Sequence, residues 1–437
     1  MLRTTAAFAA LAAIALAQGC SSSSSNGAPA DGGSDATFVP QETVGCGTTK
    51  LLTVPDDPSV AGPWPVGVQT VTIPVYGGAP PDGGAPDASE GDASEGDAGG
   101  PGFNLTAEVW YPATIGSESG KTQKTYDLRT WLPPSQQSKI PDSAVQNSFQ
   151  SGCYSGLPID TTHGPYPGVI FIHGTASFRI ASITEAVQWA SRGFIVIAAD
   201  HPGLDLEDQL ATYGPLFGQP CPGSGISEDV NRDVDAEIAS LTPPSGDLAF
   251  LAGSIDMTRI GMAGHSAGAG DAAMFSTKPG VEVDMPLATM NAVSASSTLQ
   301  SVLIMAGLKD KVIAYADDTS SYNSSPAPKR LVGIPNDGHL VPTGLCYLTN
   351  NQGQDLVAIT TQYDVCAVSE VAGVLWDCSK SYLDEATGNG IMNYATTSAL
   401  EETLHCQDRT SQWAGLTTRF PEVAPDSGMP LQFTHSP

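Results

Sequence analysis

Basic residues are scarce in this chain. It holds 18 Lys and Arg against 46 Asp and Glu in 437 residues, a formal net charge of −28. No stretch collects the basic patch that a phosphate backbone requires, so nucleic acid is not an expected partner. The acidic excess serves mainly solubility. Cysteine pairs at C-x-x-C spacing are also missing among the eight cysteines. That removes the usual signature of a zinc ribbon or redox motif, and no metal or cofactor is expected. A third absence is a membrane-length apolar run. Thr4–Ala17 is apolar and alanine-rich but falls short of the roughly 20 residues a spanning helix needs, and no other stretch is long enough.

What is present begins with export signals. Met1-Leu2-Arg3 is a short basic start, and Thr4–Ala17 fits a signal-peptide core. Gln18-Gly19-Cys20 and the serine run Ser21–Ser25 follow. This resembles a bacterial lipoprotein signal, although Ala17 stands where such signals usually carry leucine. The resemblance implies a signal peptide over 1–19, a lipid on Cys20 and a flexible tether over 20–43. The membrane is then reached through that anchor only, and the expected location is the cell envelope, chiefly the outer membrane, or the extracellular space.

A second low-complexity run, Gly77–Gly102, holds Asp82, Asp87, Glu90, Asp92, Glu95 and Asp97 and no basic residue. It separates two alternating stretches, Gln69–Tyr76 and Asn104–Tyr111, which together predict a hairpin with a swollen, disordered acidic loop. The acids lack the fixed spacing of a calcium cage. From 44 to 437, strand and helix patterns alternate without a linker, with a long loop over Asp200–Ser227, a strand over Leu287–Val293 and a closing helix over Tyr394–Leu404 among the expected elements. One domain is expected, of α/β class, with a mostly parallel twisted sheet covered by helices on both faces.

The chain is organised around Gly264-His265-Ser266-Ala267-Gly268. An apolar run, Arg259–Ala263, precedes it, and the helix-forming Ala269–Phe275 follows. Strand, tight turn and helix with serine at the apex is the context of a G-x-S-x-G nucleophile elbow. A serine hydroxyl needs a histidine base, and the histidine an acid to hold its tautomer. In chain order the acid comes next and the histidine last. Ser301–Gly307 reads as a buried strand that puts Asp310 on the following loop. Lys329–Ile334 reads as another, leading into Pro335-Asn336-Asp337-Gly338-His339. Asp310 and His339 therefore emerge at the same sheet edge as Ser266. Asp317, Asp318 and Asp337 are the rival acids. Among the histidines, His173 has the wrong order and His265 packs beneath the elbow. An oxyanion hole draws one N–H from the residue after the nucleophile, here Ala267, and one from the turn after the third strand. Pro167–Ile172 is that strand, and Thr175, in the His173-Gly174-Thr175 turn, is the expected second donor, with Gly174 the alternative.

These motifs, with Leu105–Pro112, Pro165–Gly174 and Trp189–His201, resemble a serine α/β hydrolase. The branch is the one holding platelet-activating-factor acetylhydrolases, dienelactone-hydrolase-like esterases and cutinase-type polyester hydrolases. The resemblance covers roughly residues 60 to 340. It implies an α/β-hydrolase fold and cleavage of carboxylic esters through an acyl-enzyme. Dienelactone hydrolases proper carry cysteine where Ser266 stands. Polyester hydrolases carry aromatic residues where this chain has Thr175 and the Asn291-Ala292 region, so polymer binding is the weaker alternative. A catalytically idle surface-binding lipoprotein on the same fold is the other, and the complete Ser-Asp-His order argues against it.

An exported chain with seven cysteines beyond Cys20 is expected to be oxidised. Cys346, Cys366, Cys378 and Cys406 fall in 345–406, where the fold usually has one helix. Two disulfides are expected to staple this insertion, with an odd cysteine left over. This insertion and the Gly203–Ser227 loop both leave the chain beside the candidate site. As pocket walls they favour short acyl groups.

Overall fold

Tyr166–Ile172 is buried along its whole length, so it can only lie inside a sheet covered on both faces. Val169 and Phe171 enter one core cluster, and Ile170 and Ile172 another, the two-residue alternation of a strand between two helical layers. The computed structural model describes residues 38–76, 101–146, 149–340, 343–379, 381–421, 423 and 430–437. The leader, Cys20 and most of the acidic run 77–102 lie outside them. Pro40–Pro437 cluster as one compact unit.

The strands are β1 (Glu42–Val44), β2 (Lys50–Leu52), β3 (Val66–Tyr76), β4 (Pro101–Pro112), β5 (Cys153–Ser155), β6 (Tyr166–Ile172), β7 (Ile195–Ala199), β8 (Ile255–His265), β9 (Val281–Leu287), β10 (Ser301–Gly307), β11 (Lys329–Ile334) and β12 (Gln432–Ser436). β1 and β2 pair separately, and the other ten form one sheet in the order β12-β11-β10-β9-β8-β6-β7-β4-β3-β5. From β11 to β7 every pairing is parallel, while β3–β4, β4–β7 and β11–β12 are antiparallel. This is the mostly parallel α/β-hydrolase sheet, and β3 and β4 form the expected antiparallel pair. The helices Ile183–Ser191 and Glu385–Leu404 pack on one face. Val230–Leu241, Ala267–Phe275 and Tyr315–Ser324 cover the other. Arg192 and Glu401, both fully buried, join the two helices of the first face at 2.7 Å.

Several expectations need correction. The strand expected over Leu287–Val293 lies over Val281–Leu287 instead. Glu282, Asp284 and Pro286 hide its pattern, and Ala288, at φ 58°, turns the chain away just where the apolar run continues. The expected closing helix Tyr394–Leu404 starts earlier, at Glu385, capped by Asp384. The loop after Asp200 contains a helix, Leu206–Tyr213, and a 3-10 turn, Gly214–Phe217.

The disulfides are also redistributed. Only Cys346–Cys378 lies within the insertion. Cys366 pairs with Cys221 and Cys406 with Cys46, and Cys153 is free and buried. Spacing along the chain says nothing of such pairings, because the insertion folds against the 203–227 segment as well as on itself. Three disulfides mark a protein that matures in an oxidising compartment. No helix among the described residues is long and apolar enough to cross a membrane.

Candidate active site

The elbow turns where β8 ends. Ser266 has φ 58° and ψ −118°, a backbone outside the ordinary wells for a side-chain-bearing residue. Its carbonyl accepts the N–H groups of Ala269 and Gly270 and opens the Ala267–Phe275 helix. The flanking glycines are required by close approach. A Cβ on Gly264 would overlap the Gly268 carbonyl, and one on Gly268 would overlap the carbonyls of Ile172 and His173.

The carboxyl ends of β6, β8, β10 and β11 carry Thr175, Ser266, Asp310 and His339 respectively. Ser266 Oγ lies 2.9 Å from His339 Nε2, and His339 Nδ1 lies 2.7 Å from Asp310 Oδ2. The other oxygen of Asp310 accepts Val312 N–H at 2.7 Å and Ile313 N–H at 2.9 Å, which fixes the carboxylate. His339 and the Asp310 side chain are buried. The rival acids lie elsewhere. Asp318 accepts Thr289 N–H at 2.7 Å, and Asp337 is buried with neither oxygen hydrogen-bonded.

His265 packs beneath the elbow, its ring centroid 4.8 Å from that of His339. Burial lowers its pKa to about 3, so it is neutral, and Nε2–H donates to the His339 carbonyl at 2.8 Å. His173 is likewise neutral, lowered to about 3 by burial. Its Nε2 accepts His201 N–H at 3.1 Å, which leaves Nδ1–H to donate to the Gly174 carbonyl at 2.8 Å. In a trans peptide the carbonyl and the next N–H point opposite ways. With the Gly174 oxygen held by His173, Thr175 N–H is directed to the other side. Ala267 begins its helix, so its N–H has no intrahelical acceptor.

A cavity of about 60 Å³ opens beside Ser266 and His339, small against the roughly 300–1,000 Å³ of sites for larger ligands. Thr175, Phe178, Leu206, Val371, Leu375 and Trp376 are among its walls. Phe178 and Trp376 supply aromatic surface that is missing at the expected positions. Phe178 also stacks on Trp131 at 4.3 Å. Nothing in the sequence places Trp376 here. It comes from the Cys-rich insertion, whose helix Val368–Leu375 folds over the site. The same insertion sends Asp377 to the backbone N–H groups of His339 and Leu340. The Cys346, Cys378 and Glu385 grouping offers no metal centre, since both sulfurs are in a disulfide.

Two comparisons bear on these features. The family described as platelet-activating factor acetylhydrolase, isoform II, matches residues 133–212. A solved structure of ferulic acid esterase from Streptomyces cinnamoneus is similar at 17% identity and a TM-score of 0.47, over 80% of this chain and 94% of that one. The matched segment runs from the short helix Pro134–Gln137 through β6 and its His173-Gly174-Thr175 turn to the helix Leu206–Tyr213 at the cavity wall. The sheet order and the elbow at the end of β8 are those of an α/β-hydrolase fold, and the family match covers the 133–212 segment of it.

Proposed function

We propose that the chain cleaves short-chain carboxylic esters through an acyl-enzyme on Ser266, with His339 as base and Asp310 as its orienting acid. The observation that carries this reading is the continuous Ser266–His339–Asp310 hydrogen-bond chain. His339 Nε2 takes the Ser266 proton as Oγ attacks the ester carbonyl carbon. The negative oxygen that develops is met by Thr175 N–H and Ala267 N–H. The tetrahedral intermediate collapses, the C–O bond breaks, and the alcohol leaves with the proton from His339. Water then attacks the acyl-enzyme with His339 again as base, releasing the acid and free Ser266.

Selectivity follows from the cavity. A small apolar space beside Ser266 accepts an acetyl-sized group without leaving buried polar atoms unpaired, and a long acyl chain has no room in it. The substrate is a small soluble ester. The Cys20 lipid anchor belongs to the same reading and keeps the enzyme at the envelope membrane.

The test is kcat/KM over aryl esters from acetate to palmitate, with Ser266→Ala alongside. The expected maximum is at the short end, and Ser266→Ala is expected to lose about 10⁶ in kcat and all fluorophosphonate labelling. A folded Ser266→Ala that hydrolyses esters normally overturns the nucleophile. A maximum at palmitate, or rapid erosion of a polyester film, overturns the short-chain reading.

A further inference from the structure

The Cys-rich insertion does more than wall the cavity. We propose that Asp377 is a positioning residue for His339, holding the base in place through its backbone.

Both oxygens of Asp377 face the loop after β11. Oδ2 accepts His339 N–H in a short hydrogen bond, and Oδ1 accepts Leu340 N–H at 3.2 Å. On the other side of the same residue, the His339 carbonyl accepts from His265 Nε2–H. His339 is thus gripped at its N–H by the insertion and at its carbonyl by the elbow. The backbone being fixed at both ends, only the side-chain torsions remain to aim the ring, and Ser266 and Asp310 engage its two nitrogens.

The neighbourhood is shaped for this contact. Gly338 has no side chain to spare. A Cβ there would overlap Asp377 Oδ2 and come within 2.9 Å of the Tyr382 ring. The chain that follows Asp377 is anchored twice. Cys378, the next residue, is bridged to Cys346, and Leu383 N–H donates to the Asn336 carbonyl at 2.8 Å. A carboxyl group has two oxygens, so one side chain can accept both peptide N–H groups at once. Asp337, one residue before Gly338, is also buried but makes no hydrogen bond to the loop's N–H groups through its side chain.

Displacing a reacting group by about 1 Å can cost about 10²-fold in rate. The positioning role therefore predicts a loss in kcat that leaves substrate binding alone. The proposal rests on the Ser266–His339 reading, and the experiment separates the two. Aryl acetate hydrolysis, the rate of fluorophosphonate labelling and the melting temperature are measured for wild type, Ser266→Ala, Asp377→Asn, Asp377→Ser and Gly338→Ala. Gly338→Ala keeps the carboxylate but crowds it off the loop, so it serves even where an Asp377 variant does not fold. Expected in Asp377→Asn and Gly338→Ala is a fall in kcat of about 10- to 100-fold, with KM within about twofold and labelling slowed in parallel. Asp377→Ser, whose hydroxyl is too short to reach either N–H, is expected to lose at least as much as Asp377→Asn, which keeps one acceptor oxygen. If Ser266→Ala is inactive while the folded variants keep full kcat, the positioning role is wrong and the nucleophile stands. If the loss disappears on cooling well below the melting temperature, Asp377 serves stability alone. If Ser266→Ala stays active, the reading beneath the proposal fails instead.

Discussion

Cys221 and Cys366 are bonded across 145 residues of sequence, and the bridge joins the two segments that flank the candidate site. Gln219 adds to it, donating to Glu370 at 2.6 Å and accepting Ala367 N–H at 3.0 Å. The 203–227 segment and the Val368–Leu375 helix are therefore one cap rather than two independent walls.

A looser cap should admit longer acyl chains. Replacing both cysteines, Cys221→Ser with Cys366→Ser, is expected to raise kcat/KM for octanoate relative to acetate by about tenfold, in the range that a few methylenes in an apolar pocket command. The same ratio measured on wild type with and without reductant is the check. An unchanged ratio in a folded double variant means the cap does not set chain length.

Asp310 is distinguished from its rivals by contact with the imidazole. Asp310→Asn should keep the fold and lose about 10⁴ in kcat, because the amide supports the wrong histidine tautomer. Asp318→Asn removes a carboxylate that serves Thr289 N–H and should leave kcat within about threefold. Parallel kinetics on the two variants decide it, and a larger loss at Asp318 would reverse the assignment.

The pH dependence of stability follows from buried groups of both signs. Burial raises Asp205, Glu185 and Glu237 to about 7 and Asp318 and Glu385 to about 8. Each contributes stability below its unfolded pKa, near 4, that is lost as pH rises through the folded value. Asp284 and Asp337, raised by burial as well, act in the same direction. Burial lowers His173, His265 and His405 to about 3, so each contributes stability above about 6.5 that is lost as pH falls toward 3. Between those limits the carboxyls outnumber the imidazoles, and the folded chain holds more protons than the unfolded one. The melting temperature should therefore peak near about pH 4, where the unfolded carboxyls titrate, and fall on both sides. A scan from pH 3 to 9 with its maximum at pH 8 contradicts this.

Anchoring is tested apart from catalysis. Cys20→Ser should move the protein from the membrane fraction to the soluble one with its kcat intact, since a serine-rich tether has no membrane affinity of its own. Mass spectrometry that finds an unmodified mature N-terminus in the wild type removes the anchor.

Much of the site was legible because its residues sit in short motifs at strand ends. Gly264–Gly268, Asp310 and His339 each follow a recognisable apolar run, and parallel sheets gather such ends at one edge. What escaped was whatever depends on packing between distant segments. β12 is five residues with only Phe433 strongly apolar, and it is a strand because β11 offers an edge. β9 carries Asp284 where a central strand expects an apolar residue. Trp376 and Asp377 lie in a stretch whose sequence shows only that it contains cysteines. The cysteines signalled an ordered insertion, not where it would reach.

The Cys46–Cys406 bridge spans 360 residues, and β12 completes the sheet edge beside β11. Both joins need the far end of the chain before they can form. A ribosome or a translocation pore delivers the two halves of each join at very different times. The first strands must wait, unlocked, until almost everything else has arrived. Such an order of events suits a polypeptide that crosses a membrane unfolded and is sealed by oxidation only on the far side.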